Sequence, residues 1–464
     1  MTSTPPHYDG VGMIGLARDL CEFATGVVAD DNEPLFERLG KELPFEILRW
    51  PSGDTYNGWV VPDNWRVQHA TISRDGAVLF DGQAHTLGVA RLSRSFQGPQ
   101  TWEELQPHLV TDPELPDAYV FHCMWQYRPW GADWALAVPY ETYRALGPGE
   151  YDVDLQTVAE PGEMLLGVYD HAGETERTIV FHSNNCHPHM ANDGFAGTAV
   201  LLRLFQMLRQ RTTFYRYRLI VGPEHVGTVF YLRDMPPEAL QRVVCGVFAE
   251  MPGTHGPVKA ASTFLGGHRL DQAFANALRH YARSYELVPW RRGAGNDETV
   301  WEAPGYEVPF VEVTRSESFE RPYTGYHTSL DNPDLMDPGQ LEEFALVLDR
   351  VVDTLERDVV MHRTFDGLVC LSNPQYDLYM ERPDPSVDKR LADDSEAWGQ
   401  LLDCLLRYFD GTWSVLDIAE RHGLPFGAVR DYISRFEEAG LVRTERCELD
   451  RPVPKRLSTV EPAR

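Results

Sequence analysis

The spacing of apolar and polar positions changes rhythm three times along the chain. Between residues 9 and 43 apolar side chains recur at helical spacing. This predicts helices over Gly12–Val28 and Glu33–Leu43, with Asp30-Asp31-Asn32 as the turn and cap between them. From 50 to 150 the runs shorten to stretches such as Ala77–Phe80 and Leu87–Leu92, punctuated by turn dipeptides at Asp75-Gly76 and Asp81-Gly82. Short runs broken in this way predict a small β-rich unit. Six tryptophans, at 59, 65, 102, 125, 130 and 134, fall in it, and they read as core or interface residues. From about 151, strand and helix patterns alternate. Strands are predicted at Glu163–Tyr169, Thr178–His182, Tyr217–Gly222, Cys245–Glu250 and Val308–Thr314. Helices are predicted at Gly197–Arg209, Pro237–Val243, Asp271–Tyr285 and Pro338–Arg363. That alternation predicts an α/β fold with a largely parallel sheet.

The last rhythm spans 391–450. Helices are predicted at Ser395–Tyr408, Val415–Arg421 and Pro425–Gly440, followed by a strand from Leu441, which is the arrangement of a winged helix. Six Lys/Arg stand against thirteen Asp/Glu in this segment. Its second reading, a packing or dimerisation module, is therefore preferred over DNA binding. The tail Arg451–Arg464, with its prolines, is expected to be mobile.

Composition narrows the function classes. At 464 residues the chain holds two or three domains, and its net charge of −28 argues against gripping nucleic acid phosphates or anionic membrane. Seven scattered cysteines without a CxxC pair read as reduced thiols. No leader pattern and no apolar run of membrane-spanning length is visible, so a cytoplasmic protein is expected.

The candidate chemistry lies in four stretches of the α/β region. The strand ending near His182 runs into Cys186-His187-Pro188-His189-Met190-Ala191-Asn192-Asp193, which places imidazoles and a carboxylate at the C-terminal end of a strand. Ligands bind at that edge of open α/β sheets, and these side chains are the kind zinc takes. The alternative is a polar loop whose histidines bond only to backbone. Glu224, just beyond the strand ending at Gly222, is placed to act as a general base; otherwise it is an acid at a helix N-terminus. Asp297 and Glu298 precede a short helix, in either a functional or a solvated acidic loop. His327 is the last natural ligand candidate, with Asp331 positioned to orient its ring.

Together these stretches resemble the zinc aminopeptidase family. There a His, an Ala-x-Asp-x-x-x-Gly segment, a Glu at a strand end, an Asp-containing loop and a late His recur in order. The whole chain is similar to a bacterial group, often encoded near polysaccharide or natural-product genes. Members combine an aminopeptidase-like domain, an inserted domain of uncertain role and a C-terminal winged helix. Supporting segments run from Pro51–Asp54 and Val61–Trp65 through Ala137–Tyr143 and Cys186–Asp193 to Tyr326–Asp331. The resemblance implies a catalytic domain over 1–49 and 151–385 with a mostly parallel sheet flanked by helices. It also implies an inserted small β-domain over 50–150 and a winged helix over 386–450. His187, Asp193 and His327 would hold zinc, with Asp193 able to bridge two ions, and Glu224 would be the base. His225 stands where the wider family has a second glutamate, and so would bind a second ion or leave the site with one. Glu250 falls roughly at a family aspartate ligand, and Glu298 where the wider family has a histidine. His182 and His189 have no counterpart and are expected to be structural. Asp297, Glu298 or Arg315 would meet the charged ends of a substrate. The implied activity is hydrolysis of an amide bond in a small peptide or amide-containing small molecule, without nucleic acid or membrane partners and with a homo-oligomer left open. The rival is a catalytically silent metal-binding or protein-interaction module.

Overall fold

Runs that are buried on both faces dictate the centre of the molecule. The computed structural model describes residues 8–379 and 392–451. Every residue of Thr178–Asn184 and Val243–Ala249 is buried, as expected of parallel strands covered by helices on both sides. They belong to an eight-stranded sheet. Its strands in chain order are β1 (Glu46–Pro51), β2 (Glu163–His171), β3 (Thr178–Asn184) and β4 (Arg216–Gly222). There follow β5 (Val243–Ala249), β6 (Val258–Ala261), β7 (Tyr285–Val288) and β8 (Phe310–Arg315). Across the sheet the order is β1, β2, β4, β3, β5, β8, β6, β7. The central strands β4, β3, β5 and β8 are parallel, whereas β2 and β6 flank them antiparallel. The expected α/β class, with a mostly parallel sheet flanked by helices, is the fold observed.

Alternation along β3 divides the core. Ile179 and Phe181 join one cluster with Phe205, Phe274 and Leu348, from helices Ala196–Leu208, Arg269–Tyr281 and Pro338–Arg357. Val180 faces the other side, against Phe230 and Trp301 from helices Val226–Asp234 and Glu298–Trp301. Successive side chains on a strand point to opposite faces, so a run apolar throughout can serve both layers.

Residues Asn64–Arg74, Ala77–Asp81, Phe96–Thr101 and Glu150–Glu160 form a separate four-stranded antiparallel sheet. Its own apolar core includes Ile72, Phe80, Trp134 and Tyr151. The tryptophans divide: Trp134 is buried, Trp65 and Trp102 pack against this core, and Trp130 is exposed.

Three predicted helices end early. Gly12–Val28 is helical only over Gly10–Leu20, and Asp271–Tyr285 over Arg269–Tyr281, because Tyr285 opens the edge strand β7. Pro338–Arg363 stops at Arg357, and Val359–Arg363 becomes a strand between Asp410–Ser414 and Val442–Arg446. The β-branched pair Val359-Val360 suits that pairing, and tertiary contact overrides a helical rhythm. Helices Ala392–Cys404, Val415–His422 and Phe426–Glu438 pack with this sheet around Leu401, Ile418 and Phe436.

This C-terminal unit is fastened to the main sheet. Asn276, 1% exposed, donates to Glu420 Oε1 and Leu424 O and accepts from the Phe426 amide. Arg357 pairs with Asp431, and Arg430 Nε donates to Arg357 O, so the helix that would read DNA spends polar groups on internal packing. Leu449 lies in the main core, its amide donating to the Tyr215 hydroxyl and its carbonyl accepting from Arg177. Arg451 donates to Leu240 O at 3.1 Å, while 452–464, the rest of the tail expected to be mobile, lie outside the described residues. The expected 385/386 boundary also lies outside them. No helix of the described residues is long and apolar enough to cross a membrane.

A pH effect arises beside β8. Burial raises the Glu302 carboxyl to about 7, although its Oε1 accepts from the amides of Phe264 and Phe310. An acid whose folded pKa is raised binds its proton more tightly in the native state, so its contribution falls as pH rises from about 4.5 to 7. Glu302→Gln should therefore melt higher than the parent at pH 8 and equally at pH 4. Half-screened by solvent, the gap corresponds to roughly 1–2 kcal/mol. Melting curves at the two pH values check it, and an equal gap at both would contradict it.

Candidate metal centre and general base

The site assembles at the C-terminal edge of the parallel strands. β3 ends at Asn184 and leads into the loop of His187, β4 ends at Gly222 just before Glu224, and β5 ends at Ala249 just before Glu250. Asp193 sits on a wide π-type turn, Ala191–Phe195, that opens the helix Ala196–Leu208. Such single wide turns recur at functional sites. The turn is held by Asp331, which accepts the backbone amides of Ala191 (3.0 Å), Asn192 (2.9 Å) and Asp193 (3.2 Å). Asp331 was expected to orient the His327 ring; it fixes the backbone of Asp193 instead.

His187, Asp193 and His327 come together, with one ligand atom from each within 4.8 Å of the others. Asp193 Oδ2 lies 2.9 Å from His187 Nε2 and 3.3 Å from His327 Nε2. Burial alone would push the Asp193 carboxyl up, but hydrogen bonds with the two imidazoles hold it well below the usual carboxylate range. The His187 imidazole is opposed by burial and nevertheless raised by Asp193. His187 Nδ1 lies 2.9 Å from Pro188 O, the arrangement by which a ligating histidine is usually oriented through its other nitrogen. Two nitrogens and a carboxylate, two donors from the 185–195 connection and one from the loop of His327, form a donor set that suits zinc. Among the described residues this is the one such cluster of His, Cys, Asp and Glu.

Glu224 is held from two directions. Its Oε2 accepts Asn184 Nδ2 at 3.0 Å, and its Oε1 accepts the Tyr127 hydroxyl at 2.8 Å. Tyr127 belongs to the 50–150 segment, so the candidate base is shared between the main sheet and that segment.

His225 stands outside the three-residue cluster. Its Nδ1 lies 2.7 Å from Asp297 Oδ1, while Asp297 Oδ2 accepts the Thr228 hydroxyl at 2.6 Å. With Nδ1 donating to Asp297, Nε2 carries the ring's free lone pair. Asp297, 0% exposed, is thus engaged as an orienting carboxylate and does not face a substrate's charged end. Glu298 is also fully buried, its Oε2 taking the Asn296 amide at 2.7 Å. It lies in a carboxyl group with Glu250 and Glu312, and burial, reinforced by their mutual repulsion, pushes Glu250 and Glu298 well above the carboxylate range. Arg315 is buried and spent on Glu343 Oε1 (2.7 Å) and the carbonyl of Gly256, so it too serves packing and not a substrate. His182 is fully buried beside Trp301, and His189 Nε2 lies 2.8 Å from Ser329 O.

Three aromatic or polar groups at the centre carry no motif signal. Phe121 stacks on His187 with ring centroids 4.2 Å apart, Tyr127 meets Glu224, and Asn184 meets it from the other side. Asn184 lies in a stretch whose histidines drew attention away from it. Nothing local distinguishes Phe121 or Tyr127 from the other aromatics of a tryptophan-rich segment.

Residues 15–358 match a family described as a domain of unknown function (DUF4910). Along 93% of its length the chain is 26% identical to a Clostridium acetobutylicum protein, of which 97% is covered. That protein is provisionally named a polysaccharide biosynthesis protein with aminopeptidase-like domain. A crystal structure of a provisionally named peptidase from Clostridium acetobutylicum superposes with a TM-score of 0.77 at 24% identity, covering 94% of this chain and 96% of that one. A zinc aminopeptidase from Bacillus subtilis superposes with a TM-score of 0.56 at 12% identity, covering 75% of this chain and 95% of the other. At these identities the two superpositions establish the fold.

Proposed function

The chain belongs to the DUF4910 family, and from that premise we propose that it is a zinc-dependent hydrolase of amide bonds, of the aminopeptidase type. The observation that carries the reading is the convergence of His187, Asp193 and His327 at the strand edge from which Glu224 also projects. Zinc bound there would polarise an amide carbonyl and acidify a water. His187, Asp193 and His327 would hold the ion. Glu224 takes the proton from the attacking water and delivers it to the leaving amine. Asn184 and Tyr127 keep both carboxylate oxygens aimed, and Phe121 and Tyr326 wall the imidazoles with apolar rings. His225, with Nε2 free and Nδ1 on Asp297, is the residue that would add a second ion.

In this reading the unit built on the eight-stranded sheet is catalytic, the unit built on the four-stranded sheet walls the site, and the C-terminal unit, which takes in Val359–Arg363, is a winged helix that serves packing, not nucleic acid. The substrate is a small peptide or an amide-containing small molecule. The names of the relatives, one with an aminopeptidase-like domain and one a zinc aminopeptidase, lend support.

Metal content per chain of purified protein, measured together with amine release from aminoacyl 4-nitroanilides, tests it. Zinc should be present and lost in His187→Ala. Loss of a second ion in His225→Ala alone would make the site dinuclear. A wild-type protein that binds no zinc refutes the proposal.

A further inference from the structure

The insertion reaches the candidate metal centre by more than the Tyr127 hydroxyl. Residues 119–121 run antiparallel to 327–329, with Val120 bridging Thr328. The Phe121 amide donates to His327 O at 2.8 Å, and the Ser329 amide donates to Tyr119 O at 2.8 Å. The Tyr119 amide in turn donates to Ser329 Oγ at 3.0 Å. These bonds bracket His327, whose φ of +54° lies in the left-handed region. A non-glycine residue stays there only where its surroundings over-determine it. The ring of Phe121, 6% exposed, lies nearly parallel to His187 at 21° and meets His327 edge-on at 5.4 Å. One side chain thus limits the rotation of two imidazoles that converge on Asp193.

We propose that residues 119–121 are a working part of the metal centre. They clamp the His327 loop in its strained turn and hold the His187 ring, so zinc affinity depends on the insertion. The inference rests on the zinc reading above and adds that the 50–150 unit does more than border the substrate's path. Side chains that orient ligating groups typically change metal affinity 10–100-fold when removed. Here the orienting group is an apolar ring and a backbone pairing, not the usual carboxylate.

Competition between the purified full-length protein and a chromophoric zinc chelator tests this without reference to turnover. Phe121→Ala should bind zinc about 10–100-fold more weakly than wild type. Trp130→Ala, which alters an exposed position of the same insertion, should bind as wild type does. Should Phe121→Ala fail to fold, Phe121→Leu retains bulk without the flat face and should still lose about tenfold. Wild-type affinity in a folded Phe121 variant overturns the inference and leaves the zinc reading standing. A wild-type protein with no zinc affinity overturns both.

Discussion

Glu224→Gln is expected to keep its fold and its zinc while hydrolysing amide substrates about 10²–10⁴-fold more slowly, the range removed with a positioned general base. The substitution preserves shape, so the loss isolates proton transfer. Both partners of Glu224 tolerate the change: the Tyr127 hydroxyl can rotate, and the carboxamide oxygen can still accept from Asn184 Nδ2. Zinc content, melting temperature and kcat measured on the same preparation make the case. Turnover within about threefold of wild type would remove Glu224 from the chemistry. Loss of zinc alongside turnover would instead make it part of the binding site.

The second large effect is expected far from any substrate. Asp331→Ala leaves three buried amides, those of Ala191, Asn192 and Asp193, without their acceptor. At about 1–3 kcal/mol for each unsatisfied buried donor, reduced by whatever water enters the vacated space, the cost is roughly 3–6 kcal/mol. The turn that carries Asp193 would then no longer be held, and zinc retention should fall with it. Asp331→Asn keeps one accepting oxygen and should fall between. Thermal melting and zinc content decide the matter. A variant that melts within about 2 °C of wild type and keeps its metal would show that the turn holds itself together without Asp331.

Much of the site was legible because its residues sit where strands end, a position that a change of apolar rhythm announces. His187, Asp193 and Glu224 follow strands in that way, and His327 lies on the loop leading to the long helix Pro338–Arg357; the structure gathers His187, Asp193 and His327. Residues that depend on which loop crosses which could not be read. Asp331 is four residues from His327 in sequence, which pairs it with that ring, yet its carboxylate spans the chain to the amides of Ala191, Asn192 and Asp193. Charge in a sequence does not reveal burial: Arg315 and Glu298 read as substrate contacts, whereas both are buried and Arg315 neutralises Glu343. Tyr127 and Phe121 act across 97 and 66 residues of chain on Glu224 and His187, and no local periodicity encodes such a meeting. The fold was read in the same uneven way. Strands buried on both faces announce themselves, whereas Val359–Arg363 continues a helical pattern and is claimed as a strand only by partners 48 or more residues later.

The burial of Leu449 in the main core bears on the order of events during synthesis. Tyr215 and Arg177, which take up its amide and carbonyl, leave the ribosome more than two hundred residues earlier. Domains made first usually fold first. Here the core of the earlier-made unit includes Leu449, which the chain supplies only after the last helices have been made. Synthesis of the segment around Leu449, not of the main-sheet strands alone, therefore sets the moment at which that core can close.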